Sequence, residues 1–176
     1  MGARSSPVAR QIFGLQTLTV LLVLAVGTGL AVVDARAAQR DDAETRSVAI
    51  ARTVADSPAV LRALGTEDPS VRIQPYAEAV RVDTDTDFVV VMALDRTRYS
   101  HPNPALIGKP FIGDLGGAPE GEVFTQEYAG TLGPSMRAVV PVVDRDGSVV
   151  ALVSVGITLE RISAALWERL ARIGLV

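Results

Sequence analysis

Ile12 to Val33 is a run of 22 residues without a charged side chain, and Gln16 and three threonines are its only polar members. At about 1.5 Å per residue, a helix of this length crosses the roughly 30 Å hydrocarbon core of a bilayer. The apolar region of a secretory signal is shorter, about 7–15 residues, and ends at a small-x-small cleavage site. Here Ala35, Ala37 and Ala38 sit behind the charged Asp34 and Arg36, so an uncleaved anchor over 12–33 is expected. Arg4 and Arg10 precede the run with no acid, and charges of both signs follow it. That asymmetry places residues 1–11 in the cytoplasm and Asp34 onward outside. The rest of the chain must therefore fold as a module tethered to lipid.

Residues 34 to 64 read as a helix continuing from the anchor. Val48, Ile50, Ala51, Val54, Ala55 and Val60 form its apolar stripe, Pro58 marks a kink or restart, and Gly65 marks a stop. Such a stripe packs on a second copy of the chain, giving a homodimer, or on the chain's own sheet. A second helix is expected over 70–82, capped by Ser70, with Ile73, Tyr76, Ala77 and Val80 on one face. Phe88 to Leu94 is β-branched, uncharged and buried on both faces. Asp95-Arg96-Thr97 turns into a second strand containing Arg98 to His101, which Pro102 and Pro104 end. Glu122 to Tyr128 and Met136 to Val143 read as further strands, with a turn over Gly130 to Ser135 between them. Asp144-Arg145-Asp146-Gly147 makes a hairpin into a last apolar strand, Ser148 to Ile157. Thr158 can cap a final helix with Leu159, Ile162, Ala165, Leu166 and Leu170 on one stripe. Residues 166–176 lead toward a second span. The expected fold is α+β, an antiparallel sheet with the N-terminal helices on one face.

Charge and composition exclude several classes. A net charge of −3 and no basic run argue against nucleic acid. The chain has one histidine and no cysteine, which argues against zinc and rules out disulfides. No nucleophile elbow, phosphate loop or dinucleotide fingerprint is present, so this segment is expected to hold no catalytic site and no cofactor.

The chemistry that remains is anion binding. Arg98 and the single histidine, His101, lie three residues apart, and Arg137 follows a glycine- and hydroxyl-rich turn with Thr131 and Ser135. Arginine forks pair with both oxygens of a carboxylate. On an ideal strand Arg98 and Ser100 share a face and His101 points away, so His101 must lie where Pro102 redirects the chain if it is to join Arg98. His101 serves as a neutral donor or as a cation, and Phe111 closes the apolar side.

These residues carry a resemblance. Arg98-Tyr99-Ser100-His101-Pro102, Ile107-Gly108-Lys109-Pro110-Phe111, Gly130-Thr131-Leu132-Gly133-Pro134-Ser135-Met136-Arg137 and Val149 to Gly156 are similar to the sensor domains of citrate and C4-dicarboxylate sensor histidine kinases. The similarity covers about Asp95 to Ile162. It implies a PAS-like (PDC) fold over 34–165, lying between two membrane helices outside the cytoplasm. It implies that Arg98, His101 and Arg137 hold ligand carboxylates, with Phe111 as a pocket aromatic. Citrate-binding members use a lysine two positions after the second arginine, where this chain has Val139, which favours a smaller dicarboxylate such as succinate, fumarate or malate. Family members continue into a second span, a cytoplasmic PAS domain and a kinase core served by a response regulator. None of these is in the 176 residues, so a fragment of such a kinase, or a separately encoded kinase module, is expected. Other readings are the input domain of a chemoreceptor or cyclase, or a ligand-free dimerisation domain.

Overall fold

The computed structural model describes residues 7–130 and 133–158. It divides into two units, residues 1–39 and residues 40–176. Helix α1 (Pro7–Ala55) runs from the first into the second. In the first unit most apolar side chains of residues 12–33 are exposed, and by length and composition this helix is able to cross a membrane.

The second unit is a four-stranded antiparallel sheet of β1 (Phe88–Met92), β2 (Phe124–Gly130), β3 (Gly133–Val143) and β4 (Val149–Thr158), in the order β1-β4-β3-β2. The almost uniformly apolar β4 is central, as its composition requires. The C-terminal part of α1, with α2 (Pro58–Leu64) and α3 (Ser70–Asp83), covers one face. Ala51, Val54, Val60, Ile73 and Ala77 pack there on Val89, Val91, Ala138, Val140, Val153 and Val155. The helical stripe thus meets the chain's own sheet. Pro58 opens α2 at its first turn, where a missing N–H costs nothing, and the Ser57 hydroxyl caps it. Ser70 does not cap α3 but lies in its first turn, and its N–H and hydroxyl both donate to the Asp68 carboxylate.

The other face of the sheet carries Phe88, Val90, Met92, Leu152 and Val139. Phe111, Leu115 and Ala118, from the long connection of residues 93–123, pack on it. A connection of that length without a strand or α-helix of its own is uncommon in a compact domain and is usually functional.

Two further expectations need correction. Arg98 to His101 is not a strand. It makes only isolated bridges, Met92 with Arg98 and Thr97 with Pro110. The reason is local: Pro102 and Pro104 have no N–H, and the Ser100 side chain takes the place of a backbone ladder. Its hydroxyl accepts from Val91 N–H (2.8 Å) and donates to Val89 C=O (3.2 Å). The turn between β2 and β3 is also shorter than expected. Gly130 pairs with Gly133, so only residues 131–132 lie between the strands and Ser135 belongs to β3. The hairpin at residues 144–147 forms as its Asp-Gly signal requires, with Gly147 at φ 86°. The expected final helix lies outside the described residues.

Replacing Ser100 by alanine leaves the buried Val91 N–H without an acceptor. The expected loss is about 1–3 kcal/mol of stability, the usual cost of an unpaired buried donor. Urea unfolding of the variant reads it as a lowered midpoint.

Candidate functional site

Strand alternation builds the site. Arg137 on β3 faces the connection rather than the helices, because its neighbours Met136 and Ala138 join the helix-side clusters. Across the β2–β3 register Arg137 stands opposite Gln126, and Ser135 opposite Tyr128, so these four share one face. Arg98 enters from the connection. The guanidinium carbon of Arg98 lies 5.6 Å from the centroid of Phe111, and that of Arg137 lies 5.4 Å from the same centroid. The two cations are therefore separated by no more than the sum of those distances. Both residues are only 3% exposed.

Arg137 is held on several sides. Its Nη2 donates to the Asp114 carbonyl (2.8 Å) and to Gln126 Oε1 (3.2 Å). Tyr128 stacks on it at 4.1 Å. Gly113 at φ 117° lies directly against the guanidinium, and a Cβ there would meet Nη1 at 2.4 Å, so a side chain at 113 would push Arg137 aside. Arg98 has the Phe111 ring and no such set of acceptors. Among the described residues, the Nε of each arginine is buried without a hydrogen-bond partner and neither arginine takes part in an ion pair. Burial pulls the pKa of both down. For Arg137 the nearby charge of Asp114 works in the opposite direction. Arginine keeps its proton even so. The arrangement is two desolvated cations on one apolar ring, which a bound anion would compensate.

His101 is 4% exposed and sits close enough to Arg98 for that charge to act on it. It reaches this position from an irregular segment just before Pro102. Asn103 N–H donates to its Nδ1 (2.9 Å), which requires the lone pair on that nitrogen and so places the proton of the neutral ring on Nε2. Burial first, then the charge of Arg98, lower its pKa below the ordinary value. The neutral donor, not the cation, is the form this setting favours.

Of the residues expected from sequence, Arg98, Arg137 and Phe111 come together, with His101 beside Arg98. Ser135 is buried on the same sheet face, but its hydroxyl donates to the Tyr128 carbonyl (3.2 Å) instead of being held out on a turn, because it lies within the hairpin ladder. Thr131 lies outside the described residues. Sequence reading missed Tyr128, Gln126, Asp114 and Gly113. The first two become visible only when the two-residue hairpin fixes the register opposite Arg137. Val139 lies two residues past Arg137 on the same face, fully buried in the apolar cluster with Phe111.

With this geometry in hand, the comparisons with known proteins are specific. The model of the family described as single cache domain 3 matches residues 34–171. The sensor protein CitS of Halalkalibacterium halodurans is 39% identical over 127 residues, covering 71% of this chain and 24% of that protein. The sensor histidine kinase DcuS of Escherichia coli K12 is 36% identical over 125 residues, covering 70% of this chain and 23% of that protein. The crystal structure of the E. coli DcuS sensor domain aligns with a TM-score of 0.69 at 35% identity, over 73% of this chain and 97% of that one. The chain thus spans about a quarter of the length of these curated relatives.

The lowered pKa of His101 carries a signed pH dependence. The unfolded chain binds a proton near pH 6.5, whereas the folded chain resists it. Stability is therefore expected to fall as the pH drops below about 6.5. His101→Gln, which cannot titrate, should lose less stability than the parent between pH 7.5 and pH 5, read from urea midpoints. Identical acid losses in both proteins would contradict this assignment.

Proposed function

This chain belongs to the single cache domain 3 family, and on that footing we propose that it is the ligand-sensing input region of a membrane-bound two-component histidine kinase. Residues 34–165 form its extracytoplasmic sensor domain, residues 12–33 its first membrane span, and residues 166–176 lead into a second. The ligand is a small dicarboxylate. A kinase module and a response regulator act downstream, and the sensor works as a homodimer in the bilayer.

One observation carries the ligand class: two buried guanidinium groups share the Phe111 ring, and among the described residues neither takes part in an ion pair. Leaving such charges uncompensated costs stability, and a doubly charged anion recovers it from both at once. The Nε2–H of His101 adds a neutral donor. By the resemblance, Val139 stands where citrate-binding members have a lysine, which favours a four-carbon dicarboxylate over citrate. The sensory domain of the E. coli two-component fumarate sensor DcuS, 36% identical to this chain, fits this class.

The register supports a route for transmission. Arg137 pairs with Gly156 of β4, two residues before the strand ends at Thr158. Thr158 is tied to the start of β1, since its N–H (2.6 Å) and hydroxyl (3.1 Å) both donate to Asp87 Oδ2. A ligand that draws Arg137 toward Arg98 would shift β4 against β3. It does so only to the extent that it binds one arrangement better than the other.

Calorimetry on residues 1–176 in detergent micelles, with succinate, fumarate, malate and citrate, tests the reading. A four-carbon dicarboxylate should bind, and Arg98→Ala should weaken it by about 1.5–3 kcal/mol, the scale of hydrogen bonds to a charged group. A folded chain that binds none of the four acids contradicts the proposal.

A further inference from the structure

His101 occupies an awkward stretch of backbone. The pairing along the edge of β1 ends at Ser100, and Pro102 contributes no N–H. A buried peptide at 101 needs both a donor and an acceptor from elsewhere. Helix α3 supplies them. Gln74 Nε2 donates to the His101 carbonyl (3.1 Å), and the His101 N–H donates to Gln74 Oε1 (2.9 Å). The carboxamide thus stands in for a neighbouring strand, binding one residue twice across 27 positions of sequence. Only asparagine and glutamine side chains carry both an amide donor and a carbonyl acceptor, and asparagine is one methylene shorter. Gln74 is itself held in place, because Ile73 beside it is buried in the core under α3.

The second constraint on His101 acts on its ring, where Asn103 N–H engages Nδ1 (2.9 Å). That contact depends on the main chain of residues 101–103 keeping its course. From these two observations we propose that Gln74 is a positioning residue of the ligand site: by clamping the His101 peptide to α3, it holds the imidazole in the tautomer whose Nε2–H faces the ligand. This rests on reading Arg98, His101 and Arg137 as the ligand site. It adds a direct link between the site and a helix of the opposite layer, since α3 lies on the helix side of the sheet.

His101 is the only histidine in the chain, so its ring nitrogens can be assigned without ambiguity by long-range proton–nitrogen NMR on the full 176-residue chain in micelles. The parent should show one neutral tautomer with the proton on Nε2, with no ligand added. Gln74→Ala should give a mixture of the two tautomers, and succinate affinity should fall about three- to tenfold, the scale of one to two net hydrogen bonds. Gln74→Glu keeps the acceptor, loses the donor and preserves the side-chain length, so it should fold and fall between parent and alanine variant. A single Nε2–H tautomer in both variants overturns the positioning role. Because the tautomer is read without ligand, that result is separate from a failure of the parent to bind succinate, which would count against the ligand reading alone.

Discussion

Two guanidinium groups held out of water against one phenyl ring set the terms for this domain. Each would be better solvated at the surface, and each keeps a buried Nε with no partner among the described residues. Such an arrangement persists only where the surrounding fold over-determines it. Here the sheet fixes Arg137 by register, Gln126 and Tyr128 by alternation, and the connection of residues 93–123 presses Phe111, Gly113 and Asp114 down from above. The unfavourable charge placement is thus held by the apolar packing around it, and a bound dianion would relieve it.

The division of labour between the two sheet faces follows from the same constraint. The helix-side face is apolar and well packed, and it supplies the rigidity. The opposite face mixes an apolar cluster with polar side chains, and it is covered by a connection that makes few ladder hydrogen bonds. Local stability is lower where the backbone pairs less, so low-cost opening is expected in the connection before the helices. Arg137 bridges these regimes. It stands on a central strand and donates to the Asp114 carbonyl in the connection.

Much of this was legible in the sequence. The alternating and uniformly apolar runs gave β1, β3 and β4, Pro58 gave the restart at α2, and the Asp-Gly hairpin formed where expected. Arg98, His101 and Arg137 stood out because charge and imidazole are scarce on strand-like segments in this chain. What was not legible depends on side chains replacing backbone. Ser100 satisfies the edge of β1 through its hydroxyl, so a segment with strand-like composition never becomes a strand. Gln74 reads as an ordinary polar helix position, and only the three-dimensional crossing of α3 over residue 101 gives it a partner. Tyr128 and Gln126 needed the exact length of the turn that follows them, since one residue more would have put both on the other face.

Arg98 and Arg137 are proposed to form one anion site, and the buried Nε–H group of each offers a direct probe. Nitrogen-resolved NMR of the arginine side chains during a succinate titration should move both Nε–H signals together, with a single dissociation constant. Signals that stay fixed, or that move with two different constants, would contradict a shared site.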